Sequence, residues 1–201
     1  MSLNAKQAHS FLGPLHGKVV TFLVSNRDAN LSLVRGISAL SAAVAYNCTI
    51  LDVDAFCSSH SDEIFSGLPQ SVIKKTHIIV PEPGSSIETE ILLLLRRGNS
   101  NFFVIESLNT LYHLFGSSGA SSKSRRLSFI LFTLSYLTKT SNKMGFLIMY
   151  DQERLTRSSR NRSISDFADI TLSVQVIGSK LMMECLRGLT WPSGRFALTF
   201  P

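Results

Sequence analysis

Phe102-Phe103-Val104-Ile105-Glu106-Ser107 is the stretch on which the fold turns. Its apolar, partly β-branched residues stand between Asn99-Ser100-Asn101 and Leu108-Asn109-Thr110. A short unbroken apolar run bounded in this way reads as a strand buried on both faces, the pattern of a parallel sheet. Glu106 stands at its carboxyl end, and in open α/β sheets that edge is where ligands bind. On the strand alone, two readings of Glu106 are open. It is a metal or phosphate partner, or the relic of one, or it is a strand-end carboxylate satisfied by neighbouring amides.

Outward from this strand, apolar runs and helical periods alternate. Lys18–Val24 reads as the first strand, and Leu33, Ile37, Leu40 and Val44 give an apolar face to a helix from about Leu31 to Tyr46, with Asn30 as its N-cap. Cys48–Val53 is a second strand ending at Asp52 and Asp54. Ser61-Asp62-Glu63-Ile64-Phe65 opens a short helix with acids in its first turn, as the helix dipole prefers. Thr76–Val80 is a third strand stopped by Pro81 and Pro83, and Ser86–Arg97 is the helix that leads into Phe102–Ser107.

Beyond it, Gly116–Ser124 reads as a Ser/Gly-rich loop, and Leu127–Lys139 as a helix apolar almost all round, pressed between the sheet and its neighbours. Gly145–Tyr150 is the next strand. Glu153–Ser165 is a basic loop with Arg154, Arg157, Arg160 and Arg162 among serines. Ile170–Val176, Lys180–Arg187 and Phe196–Phe200, with turns at Gly178 and at Pro192–Gly194, close the chain as strands with short connections. The expected architecture is α/β: a mainly parallel twisted sheet flanked by helices, with an antiparallel C-terminal hairpin edge.

The 201 residues suit one domain, read as a lead-in segment over 1–17 and a single core over 18–201. A hydrophobic share of 44% against 17% charged belongs to a folded globular chain. Cys48, Cys57 and Cys185 show no CxxC spacing and leave one over, so a disulfide framework or zinc site is not expected; nor do the scattered histidines show ligand spacing. No run reaches the roughly 20 apolar residues of a membrane span, and no signal peptide opens the chain, so a cytoplasmic protein is expected, or a nuclear one in a eukaryotic source. A formal charge of +6 favours an anionic partner.

A phosphate-binding loop joins a first strand to its helix through G-x-x-x-x-G-K-[ST], where backbone amides cradle phosphate, Lys supplies charge and the hydroxyl reaches Mg²⁺. The corresponding turn here is Ser25-Asn26-Arg27-Asp28-Ala29-Asn30-Leu31-Ser32. Ser25 and Asn30 stand at the glycine positions, Leu31 at the lysine and Ser32 at the hydroxyl. Side chains at Ser25 and Asn30 restrict the backbone, Leu31 cannot neutralise a phosphate and Asp28 adds repulsion. No nucleotide, metal or other cofactor is therefore expected.

From about Gly17 to Phe200 the chain nevertheless resembles a RecA-like ATPase domain of the RecA/KaiC superfamily, especially the archaeal recombinase paralogues. Leu51-Asp52-Val53-Asp54-Ala55-Phe56 resembles the family's second-strand end, with Asp54 where its catalytic Glu is expected. Val104-Ile105-Glu106-Ser107-Leu108 resembles the Walker B strand, with Glu106 in place of Asp. Leu147-Ile148-Met149-Tyr150-Asp151-Gln152 resembles the next strand, and Ala168-Asp169-Ile170-Thr171-Leu172, Leu186-Arg187-Gly188 and Gly194-Arg195-Phe196 resemble the closing hairpins.

The resemblance implies descent from ATPases that act on nucleic acid in oligomers. With the cradle altered and both acids exchanged in length, ATPase activity is not expected, and Asp54, Glu106 and Gln152 are relic positions. It implies a non-catalytic accessory protein that binds single-stranded DNA or RNA, a RecA-like recombinase or a related RecA-fold subunit, as a homodimer or hetero-oligomer. Alternatives are a structural subunit of a RecA-like ring, as in the tRNA-binding subassembly of Elongator, and a KaiC-like regulatory partner. In the family's recombinases the loop after the strand ending near Gln152 contacts DNA, which places nucleic acid on Arg154, Arg157, Arg160 and Arg162, with Lys123, Arg125 and Arg126 in a second loop sharing that face. A solvated basic loop without a partner is the competing reading.

Overall fold

The structure, a computed structural model, describes residues 5–81, 86–97, 100–115, 119–151, 167–178, 180–188 and 195–199. Gln152, Arg154, Arg157, Arg160, Arg162 and the turn at Pro192–Gly194 lie outside the described residues.

Among the described residues eight strands form a single sheet. In chain order they are β1 (Val19–Val24), β2 (Cys48–Asp52), β3 (Thr76–Ile79), β4 (Phe102–Glu106), β5 (Met144–Tyr150), β6 (Ile170–Ile177), β7 (Lys180–Arg187) and β8 (Arg195–Thr199). In space the order is β3-β2-β4-β5-β1-β6-β7-β8. The pairings from β3 through β6 are parallel; β6 with β7 and β7 with β8 are antiparallel. The α/β architecture, the mainly parallel sheet and the antiparallel C-terminal edge are as the sequence leads one to expect.

The helices are α1 (Ala5–Leu12), α2 (Arg27–Ala43), α3 (Phe56–Ser59), α4 (Ser61–Phe65), α5 (Gln70–Ile73), α6 (Ile87–Arg97), α7 (Leu108–Leu114) and α8 (Ala120–Ser141). Strand residues alternate between two cores because successive side chains point to opposite faces. Cys48, Ile50, Phe102, Val104, Phe146 and Ile148 pack with α1 to α4, whereas Leu51, Phe103, Ile105 and Leu147 pack with α6 to α8. Three layers result. None of the helices among the described residues is long and apolar enough to cross a membrane.

Four local readings need correction. The segment read as a lead-in contains α1, whose Ala8 and Leu12, with Leu15 of the following 3-10 turn, are fully buried. These stand at i, i+4 and i+7, a helical stripe that Gly13, Pro14 and Gly17 obscure in the sequence. The first long helix begins at Arg27, capped by Asn26, whose Oδ1 accepts from the Ala29 amide at 2.9 Å; Asn30 is an interior residue. Lys123, Arg125 and Arg126 are not in a loop but in the first two turns of α8. The outer face of α8, read as covered, leaves Phe129, Phe132 and Tyr136 exposed.

The inner face of α8 lies close on β5. A Cβ added at Gly145 would meet Thr138 Cγ2 at 3.0 Å and Leu134 Cγ at 3.2 Å. Gly145→Ala should therefore destabilise the fold by about 1–3 kcal/mol, the usual cost of overpacking. A urea midpoint equal to the parent's would show that α8 shifts freely.

Candidate functional site

The chain leaves β1 and β2 towards the α2 face, through α2 and through α3 and α4. It leaves β4 towards the opposite face, through α7 and α8. Because β2 and β4 are neighbours, their carboxyl ends part at a topological switch point, where open α/β sheets bind ligands. Asp52 and Glu106 face each other there in parallel register. By alternation both point to the α2 side, as does Tyr150 at the end of β5.

Asp52 is fully buried, and its two oxygens accept the amides of Cys57 at 2.9 Å and Ser58 at 2.7 Å, which fastens the first turn of α3 to the strand end. Asp54 sits in the turn after β2, exposed, accepting from the Phe56 amide at 3.2 Å and the Thr110 hydroxyl at 3.3 Å. Ser107 follows Glu106 with a left-handed backbone at φ 58°, and its hydroxyl accepts from the Thr110 amide to cap α7. Asn109 Oδ1 accepts the Tyr150 amide at 3.1 Å, so α7 is also tied to β5.

Asn30 is the residue that closes the arrangement. It is fully buried, and its Nδ2 donates to Glu106 Oε1 at 2.7 Å and to Tyr150 Oη at 2.8 Å. The residues aligned with a phosphate loop thus part company. Asn30 turns into the strand ends, while Leu31 and Ser32 line a surface pocket with Asp62 and Glu63 of α4. Only Ser25 and Asn26 remain between strand and helix. With no glycine to hold an open loop, Asn26 caps the chain straight into α2.

Glu106 carries its proton. Its Oε2 is buried with no donor in reach, yet the carboxyl oxygens of Asp52, Asp54 and Glu106 lie within 4.8 Å of one another. Burial first, then the hydrogen bond with Asp54 and the charge of Asp54, push the Glu106 carboxyl up to about 9; the Asn30 bond acts in the opposite sense. At neutral pH Glu106 therefore donates to Asp54, and the orphaned oxygen is a donor. The proton sits on Glu106 and is shared with Asp54 only as a hydrogen bond. A divalent cation among the three would have to displace that proton.

Burial and the hydrogen bond of Asn30 act in opposite senses on Tyr150, and burial prevails, raising its phenol above the ordinary value. Burial likewise raises the Cys57 thiol, with the neighbouring acids adding to it, so this sulfur is an inert core group. The cation nearest the start of α2 is committed: the Arg27 guanidinium donates to His60 Nε2 at 2.9 Å and lies 5.0 Å from the Phe56 ring centroid. His60 Nδ1 in turn donates to the Phe56 carbonyl at 2.8 Å.

The cations expected to share a face with the basic loop lie on α8. Arg126 pairs with Glu88 at 2.7 Å and lies over Phe115, and Lys123 lies over Tyr112, all among α6, α7 and α8. Arg125 is exposed one turn before Phe129. Tyr150, Thr110, Asn109 and Ser107 were not anticipated as members of the site. Ser107-x-x-Thr110 directly after the strand is a capping spacing that could have found two of them. Comparison of the chain with family models and with curated proteins returns no match.

Proposed function

We propose that this chain is a RecA-like domain that has filled its phosphate site with its own side chains and works without catalysis, binding single-stranded nucleic acid and associating with RecA-fold partners. The observation that carries this reading is Asn30. Where a phosphate loop would leave backbone amides open to an anion, α2 starts two residues after β1, and Asn30 gives its amide to Glu106 and Tyr150. The sheet, parallel with an antiparallel C-terminal extension, and the pairing of Asp52 with Glu106 at its switch point are in keeping with descent from such a domain. Nucleic acid is assigned to the segment holding Arg154, Arg157, Arg160 and Arg162, since arginine and serine suit phosphate contacts.

Two measurements on the full chain test this. Calorimetric titration with MgATP should show no binding in the micromolar range. Single-stranded DNA should bind below about 50 mM salt with an affinity that falls steeply as salt rises, and Arg157, Arg160 and Arg162 changed together to alanine should abolish it. Micromolar MgATP affinity overturns the filled-site reading. Absence of DNA binding by the parent chain, or unchanged affinity in the triple variant, overturns the nucleic-acid assignment and leaves a protein-only scaffold.

A further inference from the structure

Phe129, Phe132 and Tyr136 stand at i, i+3 and i+7 on α8 and are 54%, 62% and 59% exposed. Buried residues of the same helix, Leu127, Ile130, Leu131 and Leu134, already satisfy the core beneath it. Large rings more than half exposed in one row are the uncommon case, because soluble surfaces seldom gather apolar area into a patch. The polar groups within the row are spent on the helix itself. The hydroxyls of Thr133 and Thr140 donate to the carbonyls of Phe129 and Tyr136 at 2.9 Å each, leaving methyl groups outward.

Charge decides the kind of occupant. From Leu127 to Thr138 the helix has no ionisable group other than the Tyr136 phenol, and the cations that bound this stretch, Arg126 and Lys139, pair with Glu88 and Asp169. Among the described residues an anionic strand or an acidic peptide would find no cation at the centre of the row, and at the rim Arg125 beside Arg126 and Lys139, which are exposed but already paired. A second copy of this chain meets the opposite condition. Two molecules of formal charge +6 repel as wholes, and a neutral row of rings is a surface across which they can approach without opposing like charges.

We propose that this face is the contact of a two-fold homodimer in which α8 packs antiparallel on α8 of a second copy. The row is suited to it. A two-fold axis beside Phe132 sets that ring against its own symmetry mate and Phe129 against Tyr136 of the other copy, so the same patch serves both sides. With aromatic side chains offering 150–250 Å² each, the exposed parts of six rings supply about 600 Å². Rim residues around them would have to supply the rest of the about 1,000 Å² that a specific interface requires. Area alone does not set affinity; as a contact at the small end of specific interfaces it is assigned a dissociation constant of about 1–10 µM, which the experiment tests. The proposal supplies a surface for the association part of the function above and rests on that reading for nothing else.

Sedimentation equilibrium of the full chain across this range should show a monomer–dimer equilibrium. Phe132→Glu, which sets two carboxylates together on the axis, should raise the dissociation constant at least about 100-fold, a common size for loss of a central anchor. Its far-ultraviolet circular dichroism should remain the parent's, because the replaced ring is mostly in solvent. Phe132→Cys, made together with Cys185→Ser because Cys185 is only part-buried, gives an independent test, since a residue on the axis should form an intermolecular disulfide with itself on mild oxidation while Cys48 and Cys57 stay buried. A parent chain that is monomeric at about 100 µM, far above the expected constant, overturns the proposal. So does a dimer that Phe132→Glu leaves intact. Loss of DNA binding in Phe132→Glu with a monomeric parent would make the face a base-stacking platform and overturn it too. DNA binding lost only in the arginine variant bears on the nucleic-acid assignment, not on this contact.

Discussion

Glu106→Gln should make the protein more stable at pH 8 and leave it unchanged at pH 5. The Glu106 carboxyl has a folded-state value of about 9 against an ordinary 4.5. Between those two values the folded chain holds one proton more than the unfolded chain. Stability from this group is therefore fully present below about pH 4.5, and it declines as pH rises by up to about 1.4 kcal/mol per unit until the folded state also loses the proton near pH 9. A glutamine reproduces the protonated acid. Its amide donates to Asp54 and its oxygen accepts from Asn30, with nothing to titrate. The expected gain at pH 8 is about 2–4 kcal/mol, with a flattened slope of stability against pH. Urea unfolding of parent and variant from pH 5 to pH 9 measures this. Parallel curves would mean that Glu106 ionises in place and that the shared proton does not exist. Glu106→Ala should lose stability throughout, because it leaves the Asn30 amide without one of its acceptors.

The residues that gave the fold away are those whose burial is two-sided. Phe102 to Ile105 and Gly145 to Leu147 are apolar without a break, and Val19 to Val24 is interrupted only by Thr21, because helices cover both faces, and no amphipathic helix imitates that pattern. Strand ends are legible for the same reason, and this picks out Glu106; at the end of β2 the sequence points to Asp54, whereas the buried acid facing Glu106 is Asp52. What the sequence conceals is competition among similar residues. Asn26 and Asn30 are both able to cap a helix, and starting the apolar period at about Leu31 selects the second. Yet Asn30 stands three and seven residues before Leu33 and Ile37, on the apolar stripe of α2, where a polar side chain announces a buried partner. The outer row of α8 shows the other limit. Apolarity all round is the same string of letters whether a face is covered by the chain itself or left for another molecule.

Asn30→Asp should unfold the protein at pH 8 and spare much of it at pH 5. The substitution is nearly isosteric, so no cavity or clash contributes, and what changes is the proton count. The asparagine amide supplies two hydrogens, one to Glu106 Oε1 at 2.7 Å and one to Tyr150 Oη at 2.8 Å. An aspartate supplies none unless it is protonated, and Asn30 and Glu106 are both 0% exposed. Buried carboxyls at positions 30 and 106 would then both need a proton to avoid a buried charge, where the parent has only Glu106 to protonate. Tyr150 can turn its hydroxyl to donate, which rescues one contact but not the contact with Glu106. Breaking a buried arrangement so that a charge is left uncompensated costs about 3–5 kcal/mol. That is a large part of the 5–15 kcal/mol by which native proteins are usually stable. Burial makes the new carboxyl bind its proton well above the ordinary carboxylate range, so at pH 5 the second proton is in place and most of the loss should return. Thermal unfolding at the two pH values reads the difference directly. Combining Asn30→Asp with Glu106→Gln removes one proton demand and restores a donor to the new oxygen, so the pair should recover at least half of the stability lost at pH 8. Recovery no larger than Glu106→Gln gives alone would mean that Asn30 and Glu106 act independently and that the amide between them is not what holds this edge together.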